Sequence, residues 1–211
     1  KLPLTIGIKG AKYEHLVFTD ADCKPSSNQW LKSMSFQFSD SKEIVLGYGP
    51  HIKRRGLLNK IIRFDTTWIA MNYFSMALAK QPYMGVGRNL AYTKDVFNSV
   101  SGFKSHYSIT SGDDDLFIQE SATKSNFAIN LDPDSFCYSE GSSSWSSWYL
   151  QKTRHFTTSS RYNVFKKALL GIYPLSLLIL SISFVSLLFN EDFRWFSLIS
   201  FIFVLLVKWW I

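Results

Sequence analysis

Cysteine is nearly absent. Cys23 and Cys137 are the only two, and they stand far apart in the chain, which argues against a disulfide scaffold or a cysteine-based zinc site. The four histidines, His15, His51, His106 and His155, show no metal-ligand spacing and read first as structural. There is no internal repeat. There is also no basic run of the kind that grips nucleic acid: Lys53-Arg54-Arg55 is short and reads as a solvated loop, so no nucleic-acid partner is expected. No signal peptide is visible. The chain opens on Lys1, not Met, and enters the apolar segment Leu2-Pro3-Leu4-Thr5-Ile6-Gly7-Ile8 almost at once, which reads as a fragment whose N-terminal part, and any leader with it, is missing.

Charge is missing from one long stretch, Ala168 to Phe189. At about 1.5 Å per residue in a helix this run crosses a hydrocarbon core of roughly 30 Å. A polar break follows, Asn190-Glu191-Asp192-Phe193-Arg194, and then a second apolar run, Trp195 to Val207, leading to Lys208-Trp209-Trp210. Buried core helices would show similar runs. The charge-free length and the tryptophans at the edges favour two transmembrane helices, the second stopping short as if the C-terminus were also cut. The expected division is a soluble domain over 1–163 and a membrane segment over 164–211. Arg161, Lys166 and Lys167 flank the first span, while the break holds two acids and one Arg. The positive-inside asymmetry therefore predicts a multi-pass protein of the cytoplasmic (inner) membrane with residues 1–163 in the cytosol.

Basic residues outnumber acidic ones, for a formal net charge of +7, which suits an anionic ligand or a membrane surface without choosing between them. Upstream of residue 165 the composition is that of one domain with a sizeable core. The run His15-Leu16-Val17-Phe18-Thr19 reads as a buried strand, and Asp20 and Asp22 close it. If strand geometry continued through Asp22, both carboxylates would share one face at the strand's C-terminal edge, where open α/β sheets collect ligands. Carboxylates so close repel unless a cation lies between them. The pair is either a divalent metal site carrying a phosphorylated ligand or an ordinary surface turn, where Asp is common.

Further along, a helix is predicted after Pro25-Ser26-Ser27, with Trp30, Leu31, Met34 and Phe38 on one face. Lys42 to Tyr48 reads as a strand, and Leu57 to Ala79 as a long helix whose aromatics are either core or membrane-surface contacts. Gly85 to Tyr92 reads as a glycine-punctuated turn into a strand. Lys94 to Val100 reads as a helix stopped by Gly102, and the serine-rich segment Ser139 to Trp148 as a loop.

Two more clusters carry chemistry. Gly112-Asp113-Asp114-Asp115-Leu116 gathers three carboxylates. A solvated helix N-terminus explains one or two of them, and a general base whose pKa is raised by acidic neighbours explains the remainder. Gln151-Lys152-Thr153-Arg154-His155 places Gln151 and Arg154 on one helix face, where Arg can bind phosphate oxygens. A basic stretch beside a membrane would look the same.

Order and spacing are more specific than any single part. Thr-Asp-Ala-Asp at 19–22, Gly-Val-Gly-Arg-Asn at 85–89, Gly-Asp-Asp-Asp-Leu at 112–116, Gln-x-x-Arg-His at 151–155 and then apolar helices together resemble family 2 of the glycosyltransferases, inverting membrane-associated enzymes, from about residue 7 onward. The resemblance implies an α/β chain of GT-A fold, the Rossmann-like nucleotide-diphospho-sugar transferase fold, lacking its first βαβ unit and followed by transmembrane helices. It implies that Asp20 and Asp22 are the D-x-D motif, holding Mg²⁺ or Mn²⁺ and the donor diphosphate. The acidic cluster resembles the E-D motif that supplies the base. E-D-x-x-L spacing puts the base on Asp113, with Gly112 in place of the Glu, whereas matching Asp113-Asp114 as the acid pair makes Asp114 the base. Gln151 and Arg154 resemble Q-x-x-R-W, which closes over the diphosphate. His155 stands where that motif has Trp, which speaks against processive synthesis. Gly87-Arg88-Asn89 resembles a segment beneath the acceptor pocket. The family's nucleotide-gripping first unit would precede residue 1, so the fragment alone is expected to be inactive. The implied reaction moves a sugar from a nucleotide-diphospho-sugar to a hydroxyl acceptor, lipid or lipid-linked glycan, at the cytosolic membrane face. Two other readings fit parts of the pattern: a haloacid-dehalogenase-like phosphatase, although Cys23-Lys24 departs from its D-x-D-x-T, and a non-catalytic membrane-anchored binding protein.

Overall fold

A computed structural model describes residues 1–109 and 111–210, with side chains through Val207, so the side chains of Trp209 and Trp210 lie outside the described residues. The chain forms two compact units, Lys1–Tyr162 and the segment from Asn163 onward.

In the first unit, a helix α1 (Leu2–Gly10) precedes β1 (His15–Phe18), β2 (Lys24–Pro25), α2 (Trp30–Ser35), β3 (Ile44–Gly47) and the long α3 (Leu57–Leu78). Then come β4 (Leu90–Thr93), α4 (Lys94–Ser99), α5 (Asp115–Ser121), β5 (Phe127–Asn130), β6 (Cys137–Tyr138) and α6 (Trp145–Ser159). The main sheet has the order β1-β4-β3-β5. β4 is antiparallel to both β1 and β3, and β3 is parallel to β5. The C-terminal ends of β1, β3 and β5 therefore meet the start of β4 along one edge. β2 and β6 form a separate two-stranded ribbon.

Alternation of side chains along the strands divides the core in two. On one face Val17, Val45 and Ala91 pack with Met34, Trp30 and Phe38 around α2. On the other, Phe18 stacks on Tyr92 at 4.3 Å between ring centres, and Tyr92 meets Phe117 of α5 at 4.5 Å. Phe97 of α4 and Phe103 join that aromatic cluster. Each large side chain buried this way stabilises by about 1.5–3 kcal/mol. The helix expected after Pro25-Ser26-Ser27 is there, but its apolar face is narrower than predicted. Met34 is fully buried, whereas Leu31 is 57% exposed. Trp30 and Met34 are one turn apart and meet the sheet, and Leu31 is rotated off that face.

α3 buries Asn59, Ile62, Thr66, Ala70, Tyr73, Phe74 and Ala77 at helical spacing, so Tyr73 and Phe74 are core; Tyr73 donates its hydroxyl to Gly47 O at 2.8 Å. Phe64 and Met71 on the opposite face are exposed. α4 starts on Thr93, whose side chain accepts from the Val96 amide. It ends where Gly102, at φ +62°, donates its N–H to Phe97 O at 2.8 Å. The segment predicted as a loop from Ser139 to Trp148 is a loop only to Ser144. Ser144 caps α6 by accepting from the Ser147 amide at 3.2 Å.

In the second unit, α7 (Val164–Leu188) and α8 (Arg194–Trp210) pack on each other, with Phe184 and Phe201 stacked at 4.0 Å. Among the described residues α7 alone is long and apolar enough to cross a membrane, and none of its apolar stretch is buried. α8 is apolar but shorter, in keeping with a second run that stops short, and does not itself meet the length requirement.

Candidate active site

The site grows from the β1–β4 register. Phe18 pairs with Leu90, so the residues after β1 run beside the short 3₁₀ turn Gly87–Asn89 that leads into β4. Strand geometry ends at Phe18, so the condition under which both carboxylates would share one strand face is not met. The chain turns after Asp20, where Cys23 N–H donates to Asp20 O at 3.0 Å. The turn still brings the carboxylates together. One ligand atom each from Asp20, Asp22 and Cys23 lie within 4.8 Å of one another.

The acidic trio sits at the same edge. Gly87 N–H donates to Asp114 Oδ2 at 3.0 Å, and Asp115 N–H donates to Asp114 Oδ1 at 2.8 Å, so Asp114 caps α5 and holds the Gly87 turn. A methyl group built on Gly87 would lie 3.7 Å from Asp114 Oδ2 and 3.7 Å from Asp20 Oδ1. One carboxylate of the early pair and one of the later trio thus come together at the same point beside Gly87. Gly112, where E-D spacing asks for a Glu, is at φ +101°, and a Cβ there would come within 2.7 Å of the Leu116 side chain. The left-handed backbone of this turn disfavours any side chain there, an acid included.

Charge in this cleft is crowded. Partial enclosure raises the Asp20 carboxyl above its usual range, Arg88 opposes that, and Asp22 and Asp113 add to it, with Arg154 a further opposing charge. Burial, then Asp115 and Asp113, push Asp114 up to about 7. Asp113 is half-buried, and its side chain makes no hydrogen bond to the described residues.

Arg88 is fixed from behind. Its Nη1 donates to His51 Nε2 at 2.7 Å and to Ser139 Oγ at 3.1 Å, while His51 Nδ1 pairs with Ser139 Oγ at 2.9 Å. Burial, then the Arg88 charge, hold His51 down at about 4, so it is a neutral acceptor for the guanidinium. Sequence reading left His51 and Ser139 without a role, and nothing in their spacing points to Arg88. Asn89 is fully buried. Its amide donates to Tyr48 O at 2.9 Å and Ser135 O at 2.7 Å, and its oxygen accepts from Trp30 Nε1 at 3.0 Å. It lies under the site and offers no amide hydrogen to a ligand.

Gln151, Arg154 and His155 all lie on α6. Gln151 is half-buried and accepts from Ser142 Oγ at 3.1 Å, and Arg154 and His155 are exposed. Partial desolvation, then Arg154 and Lys152, hold His155 below the ordinary histidine range. Lys152 forms an ion pair with Asp65 of α3.

Residues 18–211 match the family model described as glycosyl transferase family group 2. The chain belongs to that family. No curated protein matches the chain. Family membership brings the GT-A fold, and the mixed α/β sheet described above agrees with it. It also selects sugar transfer over phosphate-ester hydrolysis as the chemistry of this transferase, leaving the phosphatase reading without support. Metals are common in family 2, and two carboxylates at the β1 turn are hard oxygen donors of the kind Mg²⁺ and Mn²⁺ take. Cys23 is a poor partner for such an ion. Its thiol is pushed up to about 11 by burial and then by Cys137, so it stays protonated.

Proposed function

We propose that the protein is an inverting glycosyltransferase, moving a sugar from a nucleotide-diphospho-sugar to a hydroxyl on a lipid or lipid-linked glycan at the cytosolic face of a membrane. The observation that carries the reading is the approach of Asp20 and Asp114 to one point beside Gly87, each 3.7 Å from where a methyl group on it would lie. That approach makes one acidic cleft from two distant parts of the chain.

Asp20 and Asp22 would hold a Mg²⁺ or Mn²⁺ ion, which when bound offsets charge on the departing diphosphate. Arg154 binds the same diphosphate from α6. Arg88, stiffened by His51 and Ser139, lines the cleft beside Asp20. Asp113 takes the proton of the acceptor hydroxyl. The new bond forms from that oxygen to the anomeric carbon, the bond to the diphosphate oxygen breaks, and the nucleoside diphosphate leaves on the opposite face with inversion. Asp113 suits the base role better than Asp114, because both Asp114 oxygens already accept backbone N–H bonds. The acceptor class is inferred from α7, whose length and apolar composition would let it tie the active domain to a bilayer.

The test is the full-length protein with a panel of sugar nucleotides, reading release of free nucleoside diphosphate. Turnover with at least one donor is expected, with Asp20→Ala and Asp113→Asn each lowering kcat at least a hundredfold. Normal donor binding with no turnover would instead favour a membrane-anchored binding protein.

A further inference from the structure

Asp115 is the third acid of its run and takes no part in the roles above. It is 6% exposed, and a buried carboxylate is costly unless its oxygens are bonded. Three donors meet it. Leu116 N–H reaches Oδ1 at 2.7 Å, Thr158 Oγ1 reaches Oδ2 at 2.5 Å, and the Tyr162 hydroxyl reaches Oδ2 at 2.7 Å. Two of the three come from the far end of α6 and the residues just beyond it. The Tyr162 hydroxyl keeps its proton, since burial and then the Asp115 charge raise it above the ordinary tyrosine range. Its ring rests edge-on against Tyr83 at 5.7 Å.

α6 needs this anchor. It has 15 residues, and Thr158 is the only buried one. Apolar burial therefore contributes little to its place on the domain, and polar ties hold it instead: Ser142 to Gln151 and Lys152 to Asp65 at its middle, and Asp115 at its end. Thr158 is also one turn from Arg154, so the two share a helix face.

We propose that Asp115 is a positioning residue: through Thr158 and Tyr162 it locks the helix that carries Gln151 and Arg154 to the start of α5, directly after Asp113 and Asp114. The arginine that meets the diphosphate and the acid that meets the acceptor are then set against each other by one buried carboxylate. This rests on the glycosyl-transfer reading of the site.

The experiment uses the full-length protein and two readouts, donor kinetics and amide hydrogen exchange. Thr158→Val is expected to raise donor KM about tenfold with a smaller change in kcat, and to speed exchange of the α6 amides about tenfold while β3 and β4 keep their protection. Thr158→Ser, which restores the hydroxyl, recovers both. In a double-mutant cycle, Thr158→Val adds no more than about twofold to the loss caused by Arg154→Ala, because the threonine acts through the arginine. If Thr158→Val does not fold, Tyr162→Phe carries the same comparison, since it keeps the ring on Tyr83 and deletes one hydroxyl. Unchanged α6 exchange, no rescue by serine, or losses that multiply in the cycle would overturn the proposal. Full turnover by Arg154→Ala removes the diphosphate-binding role of α6, and the positioning proposal with it.

Discussion

Gly87 has room for a methyl group, which makes it a sharper probe of the cleft than either carboxylate. The added carbon would sit at ordinary contact distance, 3.7 Å, from both Asp20 and Asp114, and the backbone there is not left-handed. Gly87→Ala is expected to melt within about two degrees of wild type while donor turnover falls at least tenfold, because the methyl fills the gap the ligand must use. A fall in melting temperature alone, with turnover intact, would show that the gap is not the site. Asp114 gives a pH signature. Its carboxyl stands at about 7 in the fold against an ordinary 3.8, so the folded protein holds that proton more tightly than the unfolded chain. The resulting stability is complete below the unfolded value and is lost as pH rises through the folded one. Without divalent cation, wild type should therefore lose a few degrees of melting temperature relative to Asp114→Asn between about pH 4 and about pH 8. A constant offset would mean the carboxyl titrates normally. The acids themselves were legible in the sequence, because three adjacent carboxylates and a D-x-D pair are rare without a purpose. Their division of labour was not. Which Asp caps a helix, which is buried under a threonine and which stays open depends on contacts made by residues 87, 158 and 162.

At the level of elements, the floor of the site is a close approach between β3 and the turn into β4. A methyl on Gly47 would meet Asn89 Nδ2 at 2.5 Å and Cγ at 2.6 Å, and Asn89 is pinned by Trp30, Tyr48 and Ser135. Gly47→Ala should cost about 1–3 kcal/mol in urea unfolding, where an open position would show almost none. Strands β1, β3 and β4 and helices α3 and α4 could all be read from apolar runs and glycine stops, since those patterns are local. The antiparallel place of β4 between β1 and β3 could not, because register is a long-range property. The start of α6 was hidden by its serines. Ser144 is itself the signal, a capping residue followed by Trp145 and Trp148 at helical spacing.

For the whole molecule, the exposed apolar length of α7 has a direct consequence. The full-length protein should stay with membranes through high salt and alkaline carbonate and leave only with detergent; release by salt would mean that the net charge of +7 rather than α7 provides the attachment. The pairing of β1 with β4 has a consequence of another kind. One shift of that ladder by a single residue would swap Val17 and Phe18 between the two hydrophobic layers and slide Gly87 off Asp20 together. A slip of that kind would therefore lose the hydrophobic layers and the Asp20–Gly87 approach in a single step.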